Sequence, residues 1–222
     1  WCYQLILNNI SVVGNSLKAP DAITEISTTA ATDGSLKVRI DFTAPSKAID
    51  GTKLTSDMEV KIVRDGEVIQ EMGAINPGQK YYYLDNYAQN GYNYYSVIAS
   101  NDEGVGRESK VVEAYVGEDT PAKVQNIKYS VDNDVITLTW DPVTTSQHGG
   151  YMPDGEMSYN VYEIHEGNTG ADLELIDCVE EPKVGISYEV NNGDQDMINY
   201  ALGAENSVGE GPRAMSPGII VG

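Results

Sequence analysis

The sequence predicts an all-β chain of two tandem β-sandwiches, each of about 100 residues, preceded by a strand-like leader. Three observations predict it. One residue pattern occurs twice at a constant interval. Short runs alternate apolar with polar residues, as strands that bury one face do. Turn residues punctuate those runs, and no stretch sustains a helical period.

Tyr95, Val97, Ala99, Asn101, Gly104 and Gly106 return as Tyr200, Leu202, Ala204, Asn206, Gly209 and Gly211. Each run reads as a half-buried strand entering a turn, where Asn and Gly tolerate positive φ. Upstream, Leu36, Val38, Ile40 and Phe42 alternate with Lys37, Arg39 and Asp41 before Pro45. Their counterparts Ile136, Leu138 and Trp140 alternate with Thr137 and Thr139 before Pro142. Val60 and Ile62 match Tyr159 and Val161. Turn pairs such as Asp33-Gly34, Asp50-Gly51, Asp65-Gly66 and Asn90-Gly91 separate the runs.

These signals place strands in the first module at 22–28, 36–42, 58–64, 67–72, 80–84, 92–100 and 109–116. Those of the second fall at 124–130, 135–140, 158–164, 173–178, 184–190, 197–205 and 212–221. Seven short strands per module is the immunoglobulin-like sandwich pattern. The expected division is a leader at 1–18, a first module at 19–117 and a second at 118–222. They are joined through Gly117, Glu118, Asp119, Thr120 and Pro121.

At these residues the chain resembles tandem fibronectin type III domains. That family sets an inward Trp near the end of the second strand against the later Tyr-to-Gly run; Trp140 and Phe42 hold the Trp position here. The family's corner tyrosine falls eight positions before the Asn, where this chain has Asn93 and Ile198. The resemblance therefore implies no tyrosine-corner bond. No Arg-Gly-Asp occurs, and Arg64-Asp65-Gly66 reads as a hairpin turn. The Lys18-Ala19-Pro20-Asp21 segment and the 117–121 joint are similar to tandem modules of large secreted bacterial proteins, which implies a secreted or cell-surface setting. The leader from Tyr3 to Val13 resembles the closing strand of a jelly-roll domain. Its alternative reading is an extra edge strand of the first module.

The chain has 14 Lys and Arg against 34 Asp and Glu, a net charge of −20. That field repels nucleic acid and anionic lipid. It serves solubility, or attracts calcium or a cationic partner. No apolar run is long enough to span a membrane as a helix. Cys2 and Cys178 are too few for a disulfide framework. The Gly104/Gly106 and Gly209/Gly211 pairs sit at repeated turns, not at a helix N-terminus where a phosphate loop would lie. His148 and His165 lie far apart in the repeat, and Asp132, Asn133 and Asp134, like the acidic stretch 191–196, lack calcium-loop spacing. No nucleophile–base set is legible. The expectation is therefore no catalytic residue, no metal and no cofactor.

Tyrosine is the residue type that points to binding. Fifteen Tyr stand against one Phe. Tyr81, Tyr82, Tyr83, Tyr87, Tyr92 and Tyr94 cluster in one region beside Tyr95, and alternate members of a strand must face outward. Outward tyrosines can stack on sugar rings or anchor a protein. The sequence thus predicts a non-catalytic spacer or interaction module whose partners are neighbouring domains of the same protein. Two alternatives stand beside it: a glycan- or protein-binding adhesin module using the tyrosines, and an accessory region of a secreted hydrolase.

Overall fold

A computed structural model of the chain describes residues 16–133, 135–155, 157–164, 173–189 and 197–220. The leader through residue 15, Cys2, Asp134, His165 and the stretch 191–196 lie outside the described residues. Those described form two compact units. One is built on Leu36–Ala114 with the chain up to Ala30, the other on the chain from Tyr115 with the turn Ala31–Ser35.

In the first unit the strands are β1 (Ile26–Ala30), β2 (Val38–Thr43), β3 (Met58–Arg64), β4 (Glu67–Ile75), β5 (Lys80–Asp85), β6 (Gly91–Asn101), β7 (Gly104–Glu108) and β8 (Val112–Val116). They form two sheets, one ordered β1-β2-β5, the other β4-β3-β6-β7 with β8 also on β6. All pairings with a recorded register are antiparallel. Alternation places Val38, Ile40 and Phe42 of one sheet and Val60, Ile62, Tyr95, Val97 and Ala99 of the other in the core. Asp65, at φ 52°, makes the tight β3–β4 hairpin turn expected of Arg64-Asp65-Gly66.

Two polar devices tie the first unit together. Asp85 is buried and bridges the sheets: it accepts from Arg64 Nη1 at 2.7 Å and from the Tyr95 hydroxyl at 3.0 Å. Burial, with the Asp85 charge beside it, pushes the Tyr95 hydroxyl far above its ordinary pKa. The second device replaces the tyrosine corner. Asn93, fully buried, accepts from Gln89 N at 2.9 Å and donates to Gln89 O at 2.7 Å and Gly91 O at 3.0 Å. An asparagine amide thus satisfies the turn backbone by itself.

The second unit holds β9 (Gln125–Asp132), β10 (Val135–Asp141), β11 (Ser158–Ile164), β12 (Glu174–Glu180), β13 (Gly185–Glu189), β14 (Met197–Glu205), β15 (Ala214–Met215) and β16 (Ile219–Ile220). Its sheets run β13-β10-β9 and β12-β11-β14-β15, with β16 also on β14. Ile136, Leu138 and Trp140 of one sheet pack with Tyr159, Val161, Tyr200 and Leu202 of the other. Trp140 meets Tyr159 edge-on at 5.3 Å between ring centroids. Both units repeat one strand order, and each is an immunoglobulin-like sandwich of the fibronectin type III arrangement.

The last strand of each unit differs from the sequence reading, and for one physical reason. Instead of 109–116 and 212–221, the chain forms β7 with β8 and β15 with β16. A buried serine sits at each break. Ser109 N donates to Val97 O at 3.0 Å while its hydroxyl accepts from Val97 N at 2.9 Å. Ser216 makes the same pair of bonds with Tyr200, at 2.7 and 2.9 Å. The hydroxyl stands in for a backbone carbonyl, so the strand kinks without leaving a buried amide unpaired.

Candidate functional site

Each unit binds its own lead-in segment, the stretch just before its first strand, and the two copies use the same parts. In the first unit the loop after β2 runs along the segment. Asp21 N donates to Lys47 O, Ile49 N to Ala19 O and Asp50 N to Leu17 O, each at 3.0 Å. In the second, the loop after β10 does the same. Asp119 N donates to Tyr151 O, Ala122 N to Thr145 O and Gln147 N to Thr120 O, each at 2.8 Å.

The opposite side of the segment is held by the repeated Asn-to-Gly run. Asn101 Nδ2 donates to Lys18 O at 3.2 Å, and Asn206 Nδ2 donates to Asp119 O at 2.9 Å. The glycine pair then divides its work. Gly104 and Gly209 take φ of 134° and 148°, open to glycine alone. Gly106 and Gly211 do not; they make room. A Cβ on Gly106 would lie 2.3 Å from Pro20 O, and one on Gly211 would lie 1.9 Å from Pro121 O. The sequence pattern reads both glycines as turn residues, and the second is instead where the lead-in backbone crosses. The signal that could have shown it is a proline in the lead-in of each copy, Pro20 and Pro121.

Charged groups fasten each clasp differently. Lys18 Nζ lies 2.8 Å from Asp50 Oδ2 and 2.8 Å from Thr52 Oγ1. The Lys18 ammonium, helped by the Thr52 backbone amide, holds the Asp50 carboxyl down to about 2. In the second unit Asp119 is fully buried. It accepts from His148 N at 2.7 Å and Gly150 N at 3.2 Å and bonds His148 Nδ1 at 2.8 Å. Burial alone would raise this carboxyl, and the His148 and Gly150 bonds outweigh it, so the pKa falls below the ordinary carboxylate value. His148 therefore serves the lead-in.

Five of the six tyrosines divide between two sheets, and Tyr87 lies in the loop between them. On β5, Tyr81 and Tyr83 lie half-buried opposite Phe42 and Ile40, and Tyr82 points outward. The Arg39 guanidinium sits 4.0 Å from the Tyr82 ring centroid and is held by Asp41 at 2.7 Å. Tyr87 projects from the β5–β6 loop, 84% exposed, while Asp85 and Arg64 pin its backbone N and O at 2.9 and 2.7 Å. Tyr92 and Tyr94 face outward on β6, of the other sheet, and stack at 6.3 Å between centroids. Only Tyr92 and Tyr94 are brought together with exposed rings. Tyr94 lines an open groove of about 600 Å³ together with Ile26, Thr28, Val111 and Glu113.

No protein-family model matches the sequence, and no curated protein matches it. Among solved structures, the chicken CNTN1 FN1–FN3 domains share 17% identity over 90% of this chain and 67% of theirs, with a TM-score of 0.39. A two-domain fibronectin type III segment from chicken tenascin shares 12% identity over 91% of this chain and 99% of its own, with a TM-score of 0.37.

Proposed function

We propose that the chain is a non-catalytic pair of spacer and interaction modules within a multidomain bacterial protein that is secreted or displayed at the cell surface. The observation that carries the spacer reading is the repeated clasp. Each unit spends a loop, an asparagine and a space-making glycine on binding its own lead-in, the stretch through which a preceding module is attached. A module that fixes its own attachment suits presentation of neighbours better than a loose tether does. The secreted bacterial setting is supported by the resemblance of the two lead-ins to tandem modules of such proteins.

A second reading, ligand binding by the first unit, is favoured by the stacked Tyr92–Tyr94 pair beside its groove. Exposed aromatic faces next to an open groove can anchor a sugar ring or a protein side chain. A glycan array and a protein-binding screen of the whole chain separate the two readings. The spacer reading predicts no saturable ligand. The binding reading predicts a saturable ligand whose affinity falls about tenfold in Tyr92→Ala or Tyr94→Ala.

A further inference from the structure

The outer face of the sheet β12-β11-β14-β15 carries a row of apolar side chains straight across four strands. Register aligns Leu175 with Tyr162, Tyr162 with Ala201, and Ala201 with Met215. Outward positions of an exposed antiparallel sheet are ordinarily polar. The first unit follows that rule at the place equivalent to Ala201, where Ser96 bonds Glu108. In the second unit, Tyr162, Ala201 and the neighbouring Ile164 are buried on the outside of the sheet. Leu175 and Met215, at the two ends of the row, are 54% and 56% exposed.

The polar groups around this row are fixed and mostly acidic. Arg213 lies 3.9 Å from the Tyr162 ring centroid and is paired with Glu210 at 2.8 Å. Glu210 also accepts from the Tyr162 hydroxyl at 2.8 Å, and its carboxylate rests against Gly203, where any Cβ would collide with it. Asn160 orients Glu205 at 2.7 Å, and Glu180 stands exposed at the end of β12. Of the chain's 14 Lys and Arg, only Lys123, Lys128, Lys183 and Arg213 lie beyond Tyr115, so this unit carries most of the net charge of −20. That charge opposes pairing with a second copy.

We propose that this face docks a protein segment that is both basic and apolar, its aliphatic side chains covering Leu175 and Met215 while its ammonium or guanidinium groups meet Glu180 and Glu205. An apolar row supplies the buried contact, and the acidic rim steers the partner and selects its charge. The proposal is independent of the tyrosine pair, which lies on the other unit.

The test titrates the whole chain, followed by amide NMR shifts, with a short peptide of alternating lysine and leucine. Two control peptides replace its lysine by glutamate or its leucine by serine. The proposal expects saturable shifts centred on β11, β12, β14 and β15 with the lysine–leucine peptide alone, and about tenfold weaker binding to Leu175→Ser or Met215→Ser. Both side chains are more than half exposed, so these variants keep the fold, which an unchanged unfolding midpoint verifies. Shifts spread over other acidic surfaces, equal binding by either control peptide, undiminished binding to both variants, or no binding at low salt would each overturn it.

Discussion

Asp50 shows how a turn residue becomes a fastening. The sequence presents it as the first half of an Asp-Gly turn, and it is one: Thr52 N donates to its carboxylate at 3.0 Å. The turn also brings the carboxylate to Lys18, across the lead-in. Because the folded pKa is depressed to about 2, the contact stabilises the fold above the ordinary value of 3.8 and is lost as pH falls through about 2. A side-chain NMR titration should therefore find the Asp50 midpoint near about 2, moving back toward 3.8 in Lys18→Ala. A midpoint already at 3.8 in the parent chain would remove the ion pair from the account. Asn93 marks the limit of residue-level reading. The pattern shows that the family's tyrosine is missing, but a spacing rule cannot show that an amide two bonds from the backbone closes the same corner.

The strands most legible in the sequence are those with strict alternation and a hard stop. β3 and β11 occupy the expected residues because Val60/Ile62 and Tyr159/Val161 mark the buried face without ambiguity. β7 was not legible: Gly104 to Glu108 carries no apolar alternation, and its pairing with β6 follows from the turn that precedes it. β4 runs on to Ile75 past its expected end at 72 through a bulge in which Ala74 takes φ 55°. The repeated glycines belong to this scale too, since Gly106 and Gly211 matter through the segment that crosses them. Gly211→Ala should destabilise the second unit by about 1–3 kcal/mol in urea unfolding, because backbone must move to admit the new methyl group. Gly73→Ala, with open space at its Cβ and no positive φ, should shift stability by no more than about 0.5 kcal/mol. Equal effects of the two substitutions would contradict the close-approach role.

At the scale of the whole molecule, the constant interval between the two copies carries the architecture, since a pattern that returns intact must fold twice. The choice of functional face was beyond it. Period two says that Tyr82, Tyr92 and Tyr94 point outward, but the sheet each strand joins depends on long-range pairing. β5 and β6 join different sheets, so neighbours in sequence face different ways. The same limit hid the Leu175–Met215 row, whose members come from four strands. The central claim is that each unit independently binds its own lead-in, and amide hydrogen exchange tests it most directly. The Asp21, Asp119 and Ala122 amides should be protected in the whole chain. Asn101→Ala should speed exchange only at Asp21, and Asn206→Ala only at Asp119 and Ala122. Exchange of these amides at free-chain rates in the parent protein, or loosening of both segments by either substitution, would contradict it.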